Sequence, residues 1–176
     1  MAISVAVLVG EAGERIMPAL IERTKTLKVL NGTNLAAEMG PIVTRAAHDR
    51  ITGYIDTGVK EGAKLLVDGR EHPMYQQPGY FLGGTLFDEV RTDMAVYTEE
   101  IFGPVLCHIR VDTAAEALQI INGNQYGNGS CIFTRDGHTA RQFADEVQAG
   151  MVGINVPIPV PMAWHGFGGW KRRSEE

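Results

Sequence analysis

Short β-branched runs alternate with stretches of helical period along most of the chain, and this alternation restricts the folds open to it. Residues 3–9 (Ile-Ser-Val-Ala-Val-Leu-Val) read as a buried strand closed by Gly10. From residue 11 to 29 apolar side chains recur at helical spacing (Ile16, Leu20, Ile21, Leu27), with Pro18 confining the regular part or sitting in its first turn. Thr44 is placed to cap a second helix with Ile51, Tyr54, Ile55 and Val59 as its buried stripe and Gly62 near its end. Residues 64–67 read as a strand turned by Asp68-Gly69, residues 71–79 as a surface loop, and residues 80–87 and 105–111 as extended chain. Thr113 and Glu116 have capping-box spacing at the head of a helix through Ile121. A strand at 130–134 precedes a helix capped by Asp136, with Ala140, Phe143, Ala144 and Val147 on one face and Gly150 as its C′ stop. A last strand spans 151–155. The fold class is therefore α/β, a largely parallel sheet flanked by helices, which places sites beyond the carboxyl ends of the strands. Beyond Asn155, prolines at 157, 159 and 161 force extended backbone, and Gly166, Gly168 and Gly169 make the next stretch irregular.

Charge excludes several functions. The 176 residues carry a formal net charge of −5, so neither nucleic acid nor an anionic membrane is an expected partner. No apolar run is long enough to cross a bilayer, and the first residues lack the basic leader of a signal peptide. Two cysteines cannot staple a domain of this size, which points to a reducing compartment, the cytoplasm. The histidines fit no metal-ligand spacing, so no metal site is expected.

Single residues carry little chemistry. Cys107 and Cys131 lie in apolar strand-like runs, where a thiol behaves as a small hydrophobe. His108 neighbours Cys107 but points to the opposite face of a strand. His48 and His72 read as surface residues, and His165, beside the glycine-rich stretch, is the one histidine worth testing. No G-x-G-x-x-G or Walker sequence occurs. The segment Thr98-Glu99-Glu100-Ile101-Phe102-Gly103-Pro104 is more informative. In extended backbone Glu100 and Phe102 face one side, a carboxylate for ribose hydroxyls beside an aromatic face for a flat ring. The same spacing also fits a charged loop with a core phenylalanine.

These residues resemble the E-E-I-F-G-P-V signature of the aldehyde dehydrogenase superfamily. Similar blocks run from Val5 to Lys171, among them Glu38-Met39-Gly40-Pro41, Gly150-Met151-Val152-Gly153-Ile154-Asn155 and Phe167-Gly168-Gly169-Trp170-Lys171. Within the superfamily, Tyr126-Gly127-Asn128-Gly129 and the stretch from Val152 through Pro161 resemble the methylmalonate-semialdehyde dehydrogenases. The resemblance implies NAD-dependent oxidation of methylmalonate or malonate semialdehyde through a cysteine thioester, with loss of carbon dioxide and transfer of the acyl group to coenzyme A as propionyl-CoA or acetyl-CoA. It implies that Glu100 holds the nicotinamide ribose, Phe102 lies beside the nicotinamide, Phe167 lines the aldehyde tunnel and Asn155 starts the loop at its mouth. A homo-oligomer is implied as well.

The family's nucleophile stands in a G-Q-R-C-M sequence. Met1-Ala2-Ile3-Ser4 is similar to the residues directly after that cysteine, so no catalytic residue is assigned within the chain. Residues 1–171 are expected to form part of the family's catalytic domain, lacking the Rossmann half, and residues 172–176 a divergent charged tail. Two expectations remain: a segment of a dehydrogenase, inactive alone and weak toward NAD, or a non-catalytic α/β domain that binds a partner such as an intact dehydrogenase subunit.

Overall fold

The computed structural model describes residues 3–160, 162–166 and 170–171. It contains strands β1 (Val5–Val9), β2 (Lys64–Val67), β3 (Thr85–Asp88), β4 (Val105–Val111), β5 (Gly129–Ile132) and β6 (Met151–Ile154). The helices are α1 (Ala12–Lys25), α2 (Arg45–Lys60), α3 (Ala95–Thr98), α4 (Ala114–Gly123) and α5 (Gly137–Glu146). The chain divides into two compact units, one of Ser4–Arg110, the other of Val111–Glu176 with Met1–Ile3. The fold class is the expected one, a mixed, mainly parallel arrangement of strands flanked by helices.

The larger unit holds a sheet of order β1-β4-β3-β2, with β3 parallel to β4 and β2 antiparallel to β3. Helix α1 packs on β1, β2 and β3. Its buried positions are Gly13 and Met17, whereas Ile16 is exposed, so the inward face is rotated by one residue from the expected stripe. Pro18 lies inside the helix, not in its first turn.

Helix α2 starts where expected, the Thr44 hydroxyl accepting from the Ala47 amide at 3.1 Å. Ile51 and Ile55 are fully buried, but the third inward position is Gly58 and not Val59, which is exposed. A β-carbon at Gly58 would sit 2.9 Å from Val96 Cγ1 and 3.0 Å from Phe87 Cζ, so the missing side chain lets α2 seat on the aromatic core. Residues 71–79 are not wholly irregular, because 3₁₀ turns occupy Gly69–Glu71 and Pro73–Gln76. His72 caps the second of them, its Nδ1 accepting from the Met74 amide at 3.2 Å, and His48 stacks on Tyr75 with ring centroids 5.3 Å apart. Neither is a free surface histidine.

Charged and polar groups sit deep in this unit. Asp88 and His108 are buried. Arg110 Nε donates to both Asp88 oxygens at 3.1 Å, Nη2 to Oδ2 at 2.7 Å, and Nη1 reaches Glu14. His108 Nδ1 lies 2.8 Å from the Phe87 carbonyl, so it donates there and leaves Nε2 as an acceptor with no partner among the described residues. Burial pushes this imidazole below its ordinary range against the opposing pull of the Phe87 carbonyl and Asp88, while Arg110 depresses it further.

Linkage sets the sign of the pH effect. Between the depressed folded value and an unfolded value near 6.5, the folded histidine is neutral and the unfolded one protonated, so stability falls as pH drops through that window. At pH 5.5 this residue therefore subtracts from stability, in the direction its depressed folded value sets. His108→Leu gives up the hydrogen bond to the Phe87 carbonyl as well as the unsatisfied Nε2, so it should cost some stability at pH 7.5 but abolish the acid loss, and the gap to the parent should narrow at pH 5.5. Urea midpoints of parent and variant at both pH values decide it; an equal acid loss in the two rules His108 out.

The smaller unit is built on β5 parallel to β6, with Leu118, Phe143, Val147 and Ala149 as its core and Ile121, Ile132 and Val152 packed against it. Thr113 and Glu116 form the full capping box of α4, and Asp136 caps α5 through the Thr139 amide at 2.7 Å. Gly150 is not the C′ stop of α5. That helix ends at Glu146, and the Gly150 amide instead donates to the Gly127 carbonyl at 2.9 Å. Asn122 joins the ends of both helices, its Nδ2 donating to the Glu146 carbonyl at 2.9 Å and its Oδ1 accepting from the Gln148 amide at 2.8 Å. No described helix is long and apolar enough to cross a membrane.

Candidate functional site

Between α3 and β4 the segment 99–104 is fastened from several sides. Arg50 of α2 donates from Nη1 to the Ile101 carbonyl at 2.8 Å and to that of Glu100 at 3.4 Å. Ile101 is buried. At Gly103 a β-carbon would lie 2.7 Å from both Cδ1 and Cγ2 of Ile51, so helix and turn meet where only glycine fits. The Pro104 carbonyl accepts from the Thr85 amide at 2.8 Å, joining the turn to β3. Upstream, the Glu61 carboxylate accepts from the Ala95 amide at 2.8 Å at the head of α3.

Glu99, Glu100 and Phe102 are the three exposed side chains of this turn. Phe102 is 70% exposed and adopts φ 51. This excludes the core-phenylalanine reading, since Ile101 takes the inward position. It also corrects the backbone argument: the pair is presented by a left-handed residue, not by extended chain. Such a conformation in a bulky residue costs roughly 1–3 kcal/mol and persists only where its surroundings enforce it; here Arg50, Ile51 and Pro104 do so. The result is a carboxylate and an aromatic face held open on a rigid mount, suited to hydroxyl donors and a flat ring. Sequence reasoning missed Arg50, whose role depends on a contact fifty-one positions away.

Asn155 lies in the other unit, directly after β6. Its φ is 57, a region asparagine tolerates. Its Oδ1 accepts from the Thr134 amide at 2.9 Å and its Nδ2 donates to the Thr134 carbonyl at 3.0 Å, while its own amide donates to the Ile132 carbonyl at 2.8 Å. The carboxamide therefore extends the β5–β6 ladder and fastens the start of the next segment. Phe167 lies outside the described residues. His165 is exposed on a turn, its amide donating to the Met162 carbonyl at 2.9 Å.

Neither thiol resembles a nucleophile. Cys107 is fully buried, its Sγ donating to the Val96 carbonyl at 3.4 Å, and burial pushes it up to about 12. Cys131 on β5 is half-buried and also raised by burial. Among the described residues no group of three or more His, Cys, Asp or Glu side chains is arranged to hold a metal ion.

The aldehyde dehydrogenase family model matches residues 1–174, and the chain belongs to that family. It is 56% identical over 174 residues to a malonate-semialdehyde dehydrogenase of Pseudomonas aeruginosa, covering 98% of this chain and 35% of that protein. A Dictyostelium discoideum mitochondrial protein assigned to the acylating methylmalonate/malonate-semialdehyde dehydrogenases is 46% identical over 172 residues, covering 96% and 32%. Among solved structures, the NAD complex of a Sinorhizobium meliloti protein assigned to the methylmalonate-semialdehyde dehydrogenases superposes with a TM-score of 0.92 at 49% identity, covering 96% of this chain and 35% of that one. The chain thus spans about a third of the length of the relatives it matches.

Proposed function

We propose that this chain supplies the nicotinamide-proximal and substrate-mouth parts of an NAD-dependent, coenzyme A-acylating oxidation of malonate or methylmalonate semialdehyde. The observation that carries the reading is the Glu100–Phe102 turn, locked by Arg50 and Gly103 with both side chains open. The similarity to malonate-semialdehyde dehydrogenases and to an NAD complex supports it. Glu100 accepts hydrogen bonds from the nicotinamide ribose hydroxyls, and Phe102 lies beside the nicotinamide ring. NAD supplies the hydride acceptor. Asn155 and Phe167 serve the aldehyde side, Asn155 by fixing the start of its loop. The attacking thiolate is neither Cys107 nor Cys131, since burial raises both thiols, and a cysteine outside these 176 residues supplies it. The working assembly is a homo-oligomer, and the two free thiols suit the reducing cytoplasm.

The test is a chimera in which this chain replaces the matching third of the Pseudomonas aeruginosa relative. It should form NADH from malonate semialdehyde and coenzyme A, and Glu100→Ala should lower the rate ten-fold or more, on the order of 1.4 kcal/mol in the barrier. Cys107→Ser and Cys131→Ser should leave the chemistry intact. The 176-residue chain alone should form no NADH. A folded chimera without NADH formation, or a chain active by itself through either cysteine, sinks the reading.

A further inference from the structure

The segment 156–170 leaves β6 and is received again by the same unit, and its two ends are fastened by different means. At the outgoing end Asn155 is clasped to both backbone groups of Thr134. At the returning end the Trp170 amide donates at 3.3 Å to the Gly127 carbonyl, which also accepts from Gly150. Lys171 then extends its ammonium onto the Asn122 carbonyl at 2.5 Å and the Asn124 carbonyl at 2.9 Å. These carbonyls stand at the C-terminal end of α4, where peptide oxygens lack intrahelical donors and the helix dipole is negative. A cation with several hydrogens answers both conditions at once.

The receiving surface is itself rigid. The Asn122 side chain is tied to the end of α5. At Gly127 a β-carbon would lie 2.9 Å from the Gln148 carbonyl oxygen and 3.3 Å from Lys171 Cγ, so the lysine stem occupies space that only glycine leaves free.

We propose that Lys171 is a positioning residue whose ammonium, seated on the C-terminal carbonyls of α4, fixes the returning end of segment 156–170 as Asn155 fixes its start. That the segment shapes a mouth for semialdehyde rests on the proposed function; the clamp does not.

The experiment therefore reads the segment directly. Both tryptophans of the chain, Trp164 and Trp170, lie in it. In a Trp164→Phe background Trp170 emits alone, one residue from the lysine. Lys171→Met should lower the anisotropy of that emission and raise its quenching by acrylamide, with far-UV ellipticity and urea midpoint unchanged. Lys171→Arg, which restores a cationic donor of similar reach, should keep the parental values. Unchanged anisotropy in the methionine variant overturns the clamp, as does a fall that accompanies general loss of ellipticity or that arginine fails to rescue. An inactive chimera with lysine-dependent Trp170 anisotropy would discard the semialdehyde reading and leave the clamp standing.

Discussion

Replacing Arg110 by methionine should be among the most damaging single changes in the larger unit, because it leaves Asp88 charged, buried and without its guanidinium. Three Arg110 hydrogen bonds converge on that carboxylate. Removing one partner of a fully buried pair costs about 3–5 kcal/mol. Arg110 itself is 38% exposed, so water screens the vacated site and about 2 kcal/mol is the better expectation.

The pH dependence separates this from simple loss of packing. Burial alone would raise the Asp88 carboxyl, but the Arg110 hydrogen bonds, the Glu89 amide and the neighbouring positive charge bring it below its ordinary range. In the parent, the Asp88 contribution is present above the unfolded carboxyl value and is lost as pH falls through the depressed folded one. In the variant, burial acts unopposed by Arg110 and the sign reverses, so acidification relieves the penalty. The gap between parent and variant urea midpoints should narrow from pH 7 to pH 4.5. A gap that stays constant would mean that Arg110 acts through its aliphatic stem.

Gly103→Ala should cost about 2 kcal/mol, as overpacking of a filled core does. The new methyl meets Ile51, which is fully buried and cannot swing away. The damage has a direction: Ile51 and Arg50 are adjacent on α2, and Arg50 holds the carbonyls of Glu100 and Ile101. Pushing the turn off α2 therefore releases the strained Phe102 as well. Thermal melts should show the loss, and in the chimera NAD use should fall further than the stability change accounts for. Ile51→Val in the same chain should recover part of both, a coupling that distant residues would not show. An unshifted melting midpoint in Gly103→Ala would mean that the turn can lift from α2 freely.

These two sites also mark how far the sequence could be read. Caps were legible because their partners lie within a few residues: Thr44 with Ala47, Thr113 with Glu116, Asp136 with Thr139. The mainly parallel α/β class followed from periodicity. What failed depended on partners far along the chain. The inward position of α2 is Gly58 because Phe87 and Val96 need the room, a demand that no local pattern carries. The exposure of Phe102 is decided by Ile101 taking the core and by Arg50 arriving from α2. Gly150, placed as a helix stop from its neighbours, is recruited by Gly127 instead.

The two thiols, poor nucleophiles both, also form a gauge and its reference. One lies in each compact unit, Cys107 at the centre of the larger sheet and Cys131 on β5 of the smaller unit. A neutral disulfide reagent should meet Cys131 first and Cys107 only when β4 parts from its neighbours. Under native conditions the slow phase of thiol labelling therefore times the opening of the larger unit, while the partly accessible Cys131 supplies the fast phase as an internal reference. The unsubstituted chain thus records how often its larger sheet opens.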